Sequence, residues 1–207
     1  MNRTRVKICG LTREQDVDAA VEAGADALGL VFYPPSPRFI DFDLAERLCR
    51  RVPPFVTIVG LFVNPAPAEV EQTLARLPIQ LLQFHGDENA SFCASFGRPY
   101  LKAIRMRAGV NLLESQISFS SAQALLLDAF VEGYGGGGKT FDWSLIPSTL
   151  DKPIVLSGGL SVENVEAAVR RVKPWAVDVS SGVEIARGIK DPERIARFMA
   201  GVRNADV

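Results

Sequence analysis

The sequence has 207 residues, of which 47% are hydrophobic and 23% charged, and its formal net charge is -1. This length and composition are typical of one globular domain and exclude a disordered chain, because enough apolar surface is present to form a core. The near-zero charge excludes the broad basic surface that binds a polyanion, so we expect no nucleic-acid partner.

Three cysteines, Cys9, Cys49 and Cys93, lie far apart and form no Cys-x-x-Cys pair. The sequence therefore predicts neither a disulfide framework nor a bound metal. No run approaches the roughly 20 apolar residues of a membrane span, and the first residues lack the apolar core of a signal peptide. We expect a cytoplasmic protein with no membrane partner, and a monomer rather than a homodimer.

Short apolar runs alternate with amphipathic stretches along the chain. Continuously apolar runs are typical of strands buried in a parallel sheet, and they predict strands at 6–9, 27–32, 55–62, 80–84, 100–104, 124–128, 154–157 and 176–179. Apolar residues at helical spacing predict helices at 13–23, 43–51, 67–77, 88–96, 162–172 and 192–202.

Capping residues flank several of these helices. Thr12 opens a capping-box pattern before 13–23, while Ser161 and Asp191 precede later helices. Gly24 follows the first helix and tolerates the left-handed conformation that often ends one.

Strict alternation of strands and helices implies right-handed crossovers and a parallel sheet. About eight such units, each of about 26 residues, are near the minimum for a closed barrel. We predict an α/β fold, a single (β/α)8 TIM barrel that forms one catalytic domain over residues 1–207. The alternative, an open doubly wound sheet, lacks the Gly-x-Gly-x-x-Gly turn expected after its first strand.

Polar residues follow nearly every predicted strand, at the carboxyl ends where the barrel fold places its chemistry. Gly158 and Gly159 follow strand seven, and Ser180 and Ser181 follow strand eight. Glycine lets backbone N–H groups approach an anion closely. We predict that these four residues bind the phosphate of a small-molecule substrate; the alternative is that they only form tight turns.

Cys9 and Asp128 each close an apolar strand at this end of the barrel. Deprotonated, a thiol can serve as a base, although a buried cysteine more often only packs. A carboxyl beside apolar residues favours its protonated form and suits a general acid. Lys7 shares a strand face with Cys9 and could either assist it or pair with Asp178.

Two further strand ends carry candidate contacts. Arg38 follows a proline-rich loop and offers a forked donor for a carboxylate, unless it is a solvated surface cation. His85, the only histidine, could contact substrate or serve a structural role. The glycine-rich segment 134–140 is predicted to be a flexible loop after strand six, and 141–143 to begin a helix.

Seven segments, in order along nearly the whole chain, resemble the phosphoribosylanthranilate isomerase family. They are KICGL at 7–11, LGLVFYPPSPR at 28–38, VGLFVN at 59–64, QFHG at 83–86, LDAF with the glycine loop and FDW at 127–143, LSGGL at 156–160, and DVSSGVE at 178–184. One departure is Gly137, where the family often has threonine.

The resemblance implies an Amadori rearrangement in tryptophan biosynthesis, from N-(5-phosphoribosyl)anthranilate to 1-(2-carboxyphenylamino)-1-deoxyribulose 5-phosphate, with no metal and no cofactor. It implies that Asp128 protonates the ribose ring oxygen, that Cys9 removes the proton from sugar C2, and that Arg38 holds the anthranilate carboxylate. The four glycine and serine residues would bind phosphate. Weaker candidates for lining the pocket are Gln83, His85 and Asp178.

Two alternative functions are considered. The histidine-pathway isomerase rearranges a bisphosphorylated substrate, but its family would place an aspartate where Cys9 stands and a second glycine-rich site after strand three. A non-catalytic phosphosugar-binding barrel would be expected to lack Cys9 or Asp128.

Overall fold

Eight parallel strands close into a barrel in which each strand pairs with its neighbours in chain order. The structure is a computed structural model that describes residues 3–130 and 140–206. The strands are β1 (Arg5–Cys9), β2 (Ala27–Val31), β3 (Thr57–Phe62), β4 (Leu81–Phe84), β5 (Tyr100–Met106), β6 (Ala124–Ala129), β7 (Ile154–Leu156) and β8 (Ala176–Val179). The predicted (β/α)8 barrel is confirmed, and pairing of β1 with β8 closes it.

Seven α-helices surround the barrel in the described part of the chain. They are α1 (Glu14–Glu22), α2 (Phe42–Arg50), α3 (Pro67–Arg76), α4 (Ala90–Ala94), α5 (Leu112–Ser118), α6 (Val165–Val172) and α7 (Pro192–Ala205). The expected helix at 141–143 is instead a 3₁₀ turn, Trp143–Leu145, capped by Asp142. Within these described ranges, no helix is long and apolar enough to cross a membrane.

A small hairpin that the sequence did not predict follows β8. Its strands are β9 (Glu184–Ala186) and β10 (Ile189–Lys190), which pair antiparallel. The preceding turn, Ser181–Val183, is a 3₁₀ helix. This hairpin brings two charged residues back towards the mouth of the barrel.

Some of the predicted helix caps are present in the structure and others are not. Asp191 accepts hydrogen bonds from two N–H groups of α7, and Gly24 has a positive φ of 91°, as predicted. The Thr12 capping box is wrong, because the Thr12 hydroxyl donates to the Gly188 carbonyl in the hairpin. Ser161 accepts from the Glu163 N–H, but the helix begins later than expected, at Val165.

The barrel interior changes from apolar to polar along its axis. Alternating residues on each strand face the interior, so the residue two positions before Asp128 or Asp178 lies one layer below it. An apolar cluster lies at and below this level, consisting of Leu81, Leu101, Ala103, Ala124, Leu126, Val155 and Ala176. The polar groups therefore gather above an apolar base, at the carboxyl ends of the strands.

The main hydrophobic core lies between the strands and the helices. The two helical cysteines, Cys49 and Cys93, pack within it, as expected for cysteines that serve as small apolar side chains.

Candidate active site

Lys7, Cys9 and Asp178 form the first polar group in the barrel interior. The Lys7 Nζ lies 2.9 Å from the Asp178 Oδ1, and both side chains are buried. Gly29, on β2, makes room for this group, because a Cβ there would lie 2.6 Å from the Cys9 sulfur and 3.0 Å from the Lys7 Nζ. Of the two alternatives for Lys7, the structure shows the Asp178 pair, with Cys9 alongside.

Opposing influences act on the Cys9 thiol. Burial, the largest of them, raises its pKa, while the Lys7 ammonium works in the opposite direction. The negative charge of Asp178 adds to the effect of burial, and the net result is a raised pKa. Cys9 is therefore a buried thiol whose ionisation depends on its immediate neighbours.

Gln83, His85 and Asp128 form a hydrogen-bonded chain on the other side of the interior. The Gln83 Nε2 lies 3.0 Å from the His85 Nδ1, and the His85 Nε2 lies 2.9 Å from the Asp128 Oδ2. The Asp128 Oδ1 accepts from the Ala129 N–H at 3.0 Å. With this amide orientation, the imidazole proton resides on Nε2 and is donated to Asp128.

Arg38 is buried, so the alternative of a solvated surface cation is wrong. Its Nε and one terminal nitrogen donate to the two carboxylate oxygens of Glu184, at 2.7 and 2.8 Å. The stem of Arg38 crosses Gly10, whose missing side chain leaves space for it. The Nη1 makes no hydrogen bond within residues 3–130 and 140–206, so one donor of the fork remains available.

Glu184 and Lys190, both in the hairpin, are the residues that the sequence reasoning missed. The Lys190 Nζ lies 2.7 Å from a Glu184 oxygen, 3.1 Å from the Ser180 carbonyl oxygen and 3.3 Å from the Ser180 hydroxyl. Burial lowers the pKa of Lys190. Burial opposes ionisation of Glu184, but Arg38 and Lys190 outweigh it and lower the pKa of this carboxyl.

A signal for one of these two residues was present. Glu184 closes the DVSSGVE segment on which the family resemblance rests. Lys190 lies in a two-residue strand, which is too short for any periodic pattern to reveal.

The loops after β7 and β8 lie against each other. Gly158 and Gly159 have positive φ values of 79° and 63°. A Cβ on Gly158 would overlap the Ala129 backbone, and one on Gly182 would overlap the Leu160 carbonyl oxygen. The N–H groups of Gly158 and Gly159 have no acceptor among the described residues.

Two further expectations concern the glycine-rich loop and the binding of a metal ion. Positions 134–139 of the glycine-rich loop lie outside the described residues. Elsewhere, across 3–130 and 140–206, no group of three or more His, Cys, Asp or Glu side chains is arranged to hold a metal ion.

Together the fold and the site define a (β/α)8-barrel enzyme of the aldose–ketose isomerase class. The family model described as N-(5'phosphoribosyl)anthranilate (PRA) isomerase matches residues 6–200. The chain belongs to this family, and it is an isomerase of tryptophan biosynthesis.

Similar proteins cover the full length of the chain. The N-(5'-phosphoribosyl)anthranilate isomerase of Dechloromonas aromatica (strain RCB) is 62% identical over 204 residues, which are 99% of this chain and 98% of the relative. The crystal structure of the Thermotoga maritima phosphoribosyl anthranilate isomerase is 41% identical, with a TM-score of 0.88, and covers 97% of this chain and 99% of that one.

Two further solved structures bear on ligand and assembly. One is a phosphoribosyl anthranilate isomerase in complex with reduced 1-(o-carboxyphenylamino)-1-deoxyribulose 5-phosphate; it is 38% identical, with a TM-score of 0.85 and 97% and 99% coverage. The other is a monomeric form of the dimeric Thermotoga maritima enzyme, 36% identical, with a TM-score of 0.85 and coverage of 97% and 98%.

Proposed function

We propose that Asp128 and Cys9 are the general acid and the general base of the Amadori rearrangement of N-(5'-phosphoribosyl)anthranilate. The observation that carries this proposal is their placement in one barrel interior, above the apolar base and at the carboxyl ends of β6 and β1. The complex of a relative with a reduced product analogue supports the choice of substrate. An acid and a base on separate strands suit a reaction that needs both.

Asp128 acts first in this scheme. Its carboxyl gives a proton to the ribose ring oxygen as the bond from that oxygen to C1 breaks, which leaves a protonated Schiff base between C1 and the anthranilate nitrogen. His85 holds Asp128 by the 2.9 Å contact to Oδ2. When Asp128 carries the proton, it can donate to the His85 Nε2. The His85 Nδ1–H can then donate to the Gln83 Oε1 after a turn of the amide, since that buried oxygen has no other partner among the described residues.

Cys9 acts second, as a thiolate. It takes the proton from sugar C2, the electrons of that C–H bond form a C1–C2 double bond, and the C1–N π electrons return to nitrogen. The resulting enaminol becomes the ketose when its C2 hydroxyl loses a proton and C1 gains one. Asp128 takes up the proton that the C2 hydroxyl loses and Cys9 gives its proton to C1, so both groups return to their starting states and no external oxidant is needed.

Two anchors, one for each of its charged groups, would hold the substrate. We assign the phosphate to the two adjoining loops: one carries N–H groups that have no acceptor among the described residues, and the other carries serine hydroxyls, with the Lys190 ammonium 3.3 Å from that of Ser180. The residues are those predicted from sequence, Gly158, Gly159, Ser180 and Ser181. We assign the anthranilate carboxylate to the free Nη1 of Arg38, whose guanidinium Glu184 holds in place.

We also propose that the chain acts as one catalytic domain, as a monomer and in the cytoplasm. Every residue of the proposed site comes from a single barrel, and all three cysteines are free thiols, as in a reducing compartment. Phe55 is the residue at which a dimer contact would be sought, because its side chain is fully exposed. Light scattering measures the mass in solution, and a dimer that dissociates on Phe55→Ser would contradict the monomer.

The base is tested by replacing Cys9. In a background of Cys49→Ser and Cys93→Ala, Cys9→Ser should retain the fold and lose turnover by orders of magnitude, because a serine hydroxyl is a far poorer base than a thiolate. The assay follows the loss of anthranilate fluorescence with phosphoribosylanthranilate as substrate. Near-normal turnover would show that Cys9 only packs and that another group takes the C2 proton.

A further inference from the structure

Lys7 is a buried charge for which the acid–base scheme above has no task. Its side chain is 4% exposed and pairs with Asp178, which is its partner in the β1–β8 register. Burying an ammonium ion is costly even when it is paired. A lysine kept in the barrel interior, two positions before the proposed base, therefore calls for an explanation beyond packing.

The geometry places the charge of Lys7 beside the sulfur of Cys9. Both side chains point into the barrel, because residues two apart on a strand share a face. Both groups border the space above Gly29, because a Cβ at that residue would lie 2.6 Å from the Cys9 sulfur and 3.0 Å from the Lys7 Nζ. A side chain at position 29 would separate the two groups, and glycine leaves them adjacent.

The other groups around Cys9 are apolar or more weakly coupled to it. Lys190 and Arg38 add positive charge from the hairpin and from the loop after β2, and Asp178 adds negative charge from β8. Cys9 also belongs to a buried apolar cluster with Val31, Leu61 and Val63, against which Tyr33 packs. Lys7 is the cation with the greatest influence on the thiol.

We propose that Lys7 sets the ionisation of Cys9, with its ammonium group stabilising the thiolate that accepts the C2 proton. The negative charge of Asp178 offsets part of the positive charge that acts on the sulfur. The inference rests on the proposed role of Cys9 as base. Lys7 is a positioning residue in this scheme, since it acts through the sulfur and needs no contact with substrate.

The physical reason is the poor screening of charges in a buried site. Burial alone raises the pKa of a thiol and leaves too little thiolate at neutral pH to serve as a base. A fixed positive charge nearby interacts more strongly there than it would in water, and it favours the ionised sulfur. Removal of the Lys7 charge should therefore raise the pKa of Cys9 further, while removal of the Asp178 charge should lower it.

The experiment titrates Cys9 directly. In the background that lacks Cys49 and Cys93, Lys7→Met keeps the length of the side chain and removes its charge. The thiolate is followed by its ultraviolet absorbance and by the rate of iodoacetamide alkylation, each as a function of pH. We expect the midpoint to move upward by one pH unit or more, which reduces the thiolate about tenfold at a given pH below it. Asp178→Asn should move the midpoint downward.

Lys102→Met is the matched control. Lys102 is as buried as Lys7 and has a similar partner, with its Nζ 2.7 Å from a Glu88 oxygen. It lies on β5, across the barrel from β1, and it faces the helices because Leu101 and Ala103 face the interior. Loss of this buried charge should leave the Cys9 titration unchanged.

A second comparison avoids an unpaired buried carboxylate. Lys7→Met leaves the buried Asp178 carboxylate without its ion-pair partner, which destabilises the fold. The double variant Lys7→Met/Asp178→Asn removes both charges, and its difference from Asp178→Asn alone isolates the charge of Lys7. The thiol midpoint of the double variant should lie above that of Asp178→Asn.

Turnover supplies the functional readout. In a chain with Cys9 intact, Lys7→Met should lower kcat at neutral pH more than it raises KM, and raising the pH should restore activity as the thiolate forms. A purely structural lysine would lower activity equally at every pH. An unchanged thiol midpoint in both Lys7 comparisons overturns the proposal. Near-normal turnover of Cys9→Ser overturns the role of Cys9 instead, and the thiol titration distinguishes the two results.

Discussion

In the proposed scheme, the contact on which the acid depends most joins Asp128 to His85. A carboxyl that must first donate a proton and later be protonated again needs a partner that can both donate and accept. Imidazole does this through its two tautomers, and the amide of Gln83 can face Nδ1 with either its NH2 or its oxygen. The chain of Gln83, His85 and Asp128 can therefore adjust to either protonation state of the acid.

Asp128→Asn tests the acid. Asparagine keeps the shape and can still accept from His85, but it cannot transfer the same proton, so kcat should fall by at least about a hundredfold. Affinity for a reduced product analogue, measured by calorimetry, should change little. Asp43→Asn is the control, because that carboxylate is exposed on α2. An Asp128→Asn enzyme with normal turnover would remove Asp128 from the mechanism.

Arg38→Ala tests the carboxylate anchor. Loss of a charge-assisted hydrogen bond should weaken substrate binding by about 1.5–3 kcal/mol, which appears as a higher KM with a smaller change in kcat. Steady-state kinetics measure both constants. Thermal unfolding should show a lower Tm as well, because Glu184 loses one of its two buried cationic partners. A KM equal to that of the wild type would rule out contact between Arg38 and the anthranilate carboxylate.

At the scale of elements, the strands and their closure into a barrel were predictable, and the register between strands was not. Each strand contains a short run that is mostly apolar, so its position could be read locally, within a few residues. The pairing of Lys7 with Asp178 depends instead on β1 meeting β8, and the two residues are 171 positions apart. No local sequence pattern contains the register between these two strands. The sequence alone therefore could not decide between the two alternatives for Lys7.

Short elements escaped prediction for a related reason. Helix α5 has seven residues, of which only Leu112 is buried, so no apolar stripe marks it. The hairpin of β9 and β10 has strands of three and two residues, and it carries Glu184 and Lys190. The candidate residues at the strand ends and in the loops that follow them were therefore named from the sequence, while the roles of the two hairpin residues were found only in the structure.

The start of α7 lies directly after this hairpin, and its cap gives an element-scale prediction. Asp191 accepts from the Glu193 N–H at 2.9 Å and from the Arg194 N–H at 3.3 Å. Asp191→Ala should lower the free energy of unfolding by about 1 kcal/mol, because these N–H groups lose their acceptor. Asp191→Asn is the matched control and should retain most of the stability. Urea unfolding measures both, and equal stability of the alanine and wild-type chains would contradict the assignment.

At the scale of the whole molecule, the carboxylate of Glu184 links stability to pH. Its pKa is lower in the folded chain than the ordinary value of 4.5, so its ionised form stabilises the fold. This contribution is fully present above pH 4.5 and is lost as the pH falls through the lowered folded value.

Glu184→Gln measures that contribution. The variant should unfold at a lower temperature than the wild type at neutral pH, and the gap should close as the pH falls below 4.5, where the wild-type carboxyl also becomes neutral. Thermal unfolding over a pH series provides the data. A gap of constant size across the series would show that the charge of Glu184 is not the source of the difference.

The apolar layer that fills the base of the barrel has a kinetic consequence. Its seven side chains, Leu81, Leu101, Ala103, Ala124, Leu126, Val155 and Ala176, pack together below the polar groups. A molecule bound in the site therefore enters and leaves through the same opening, at the carboxyl ends of the strands. Entry of one substrate must wait for departure of the previous product, and both compete for the same anchors. We therefore expect accumulating product to slow its own formation, so that a reaction that removes the product speeds this step.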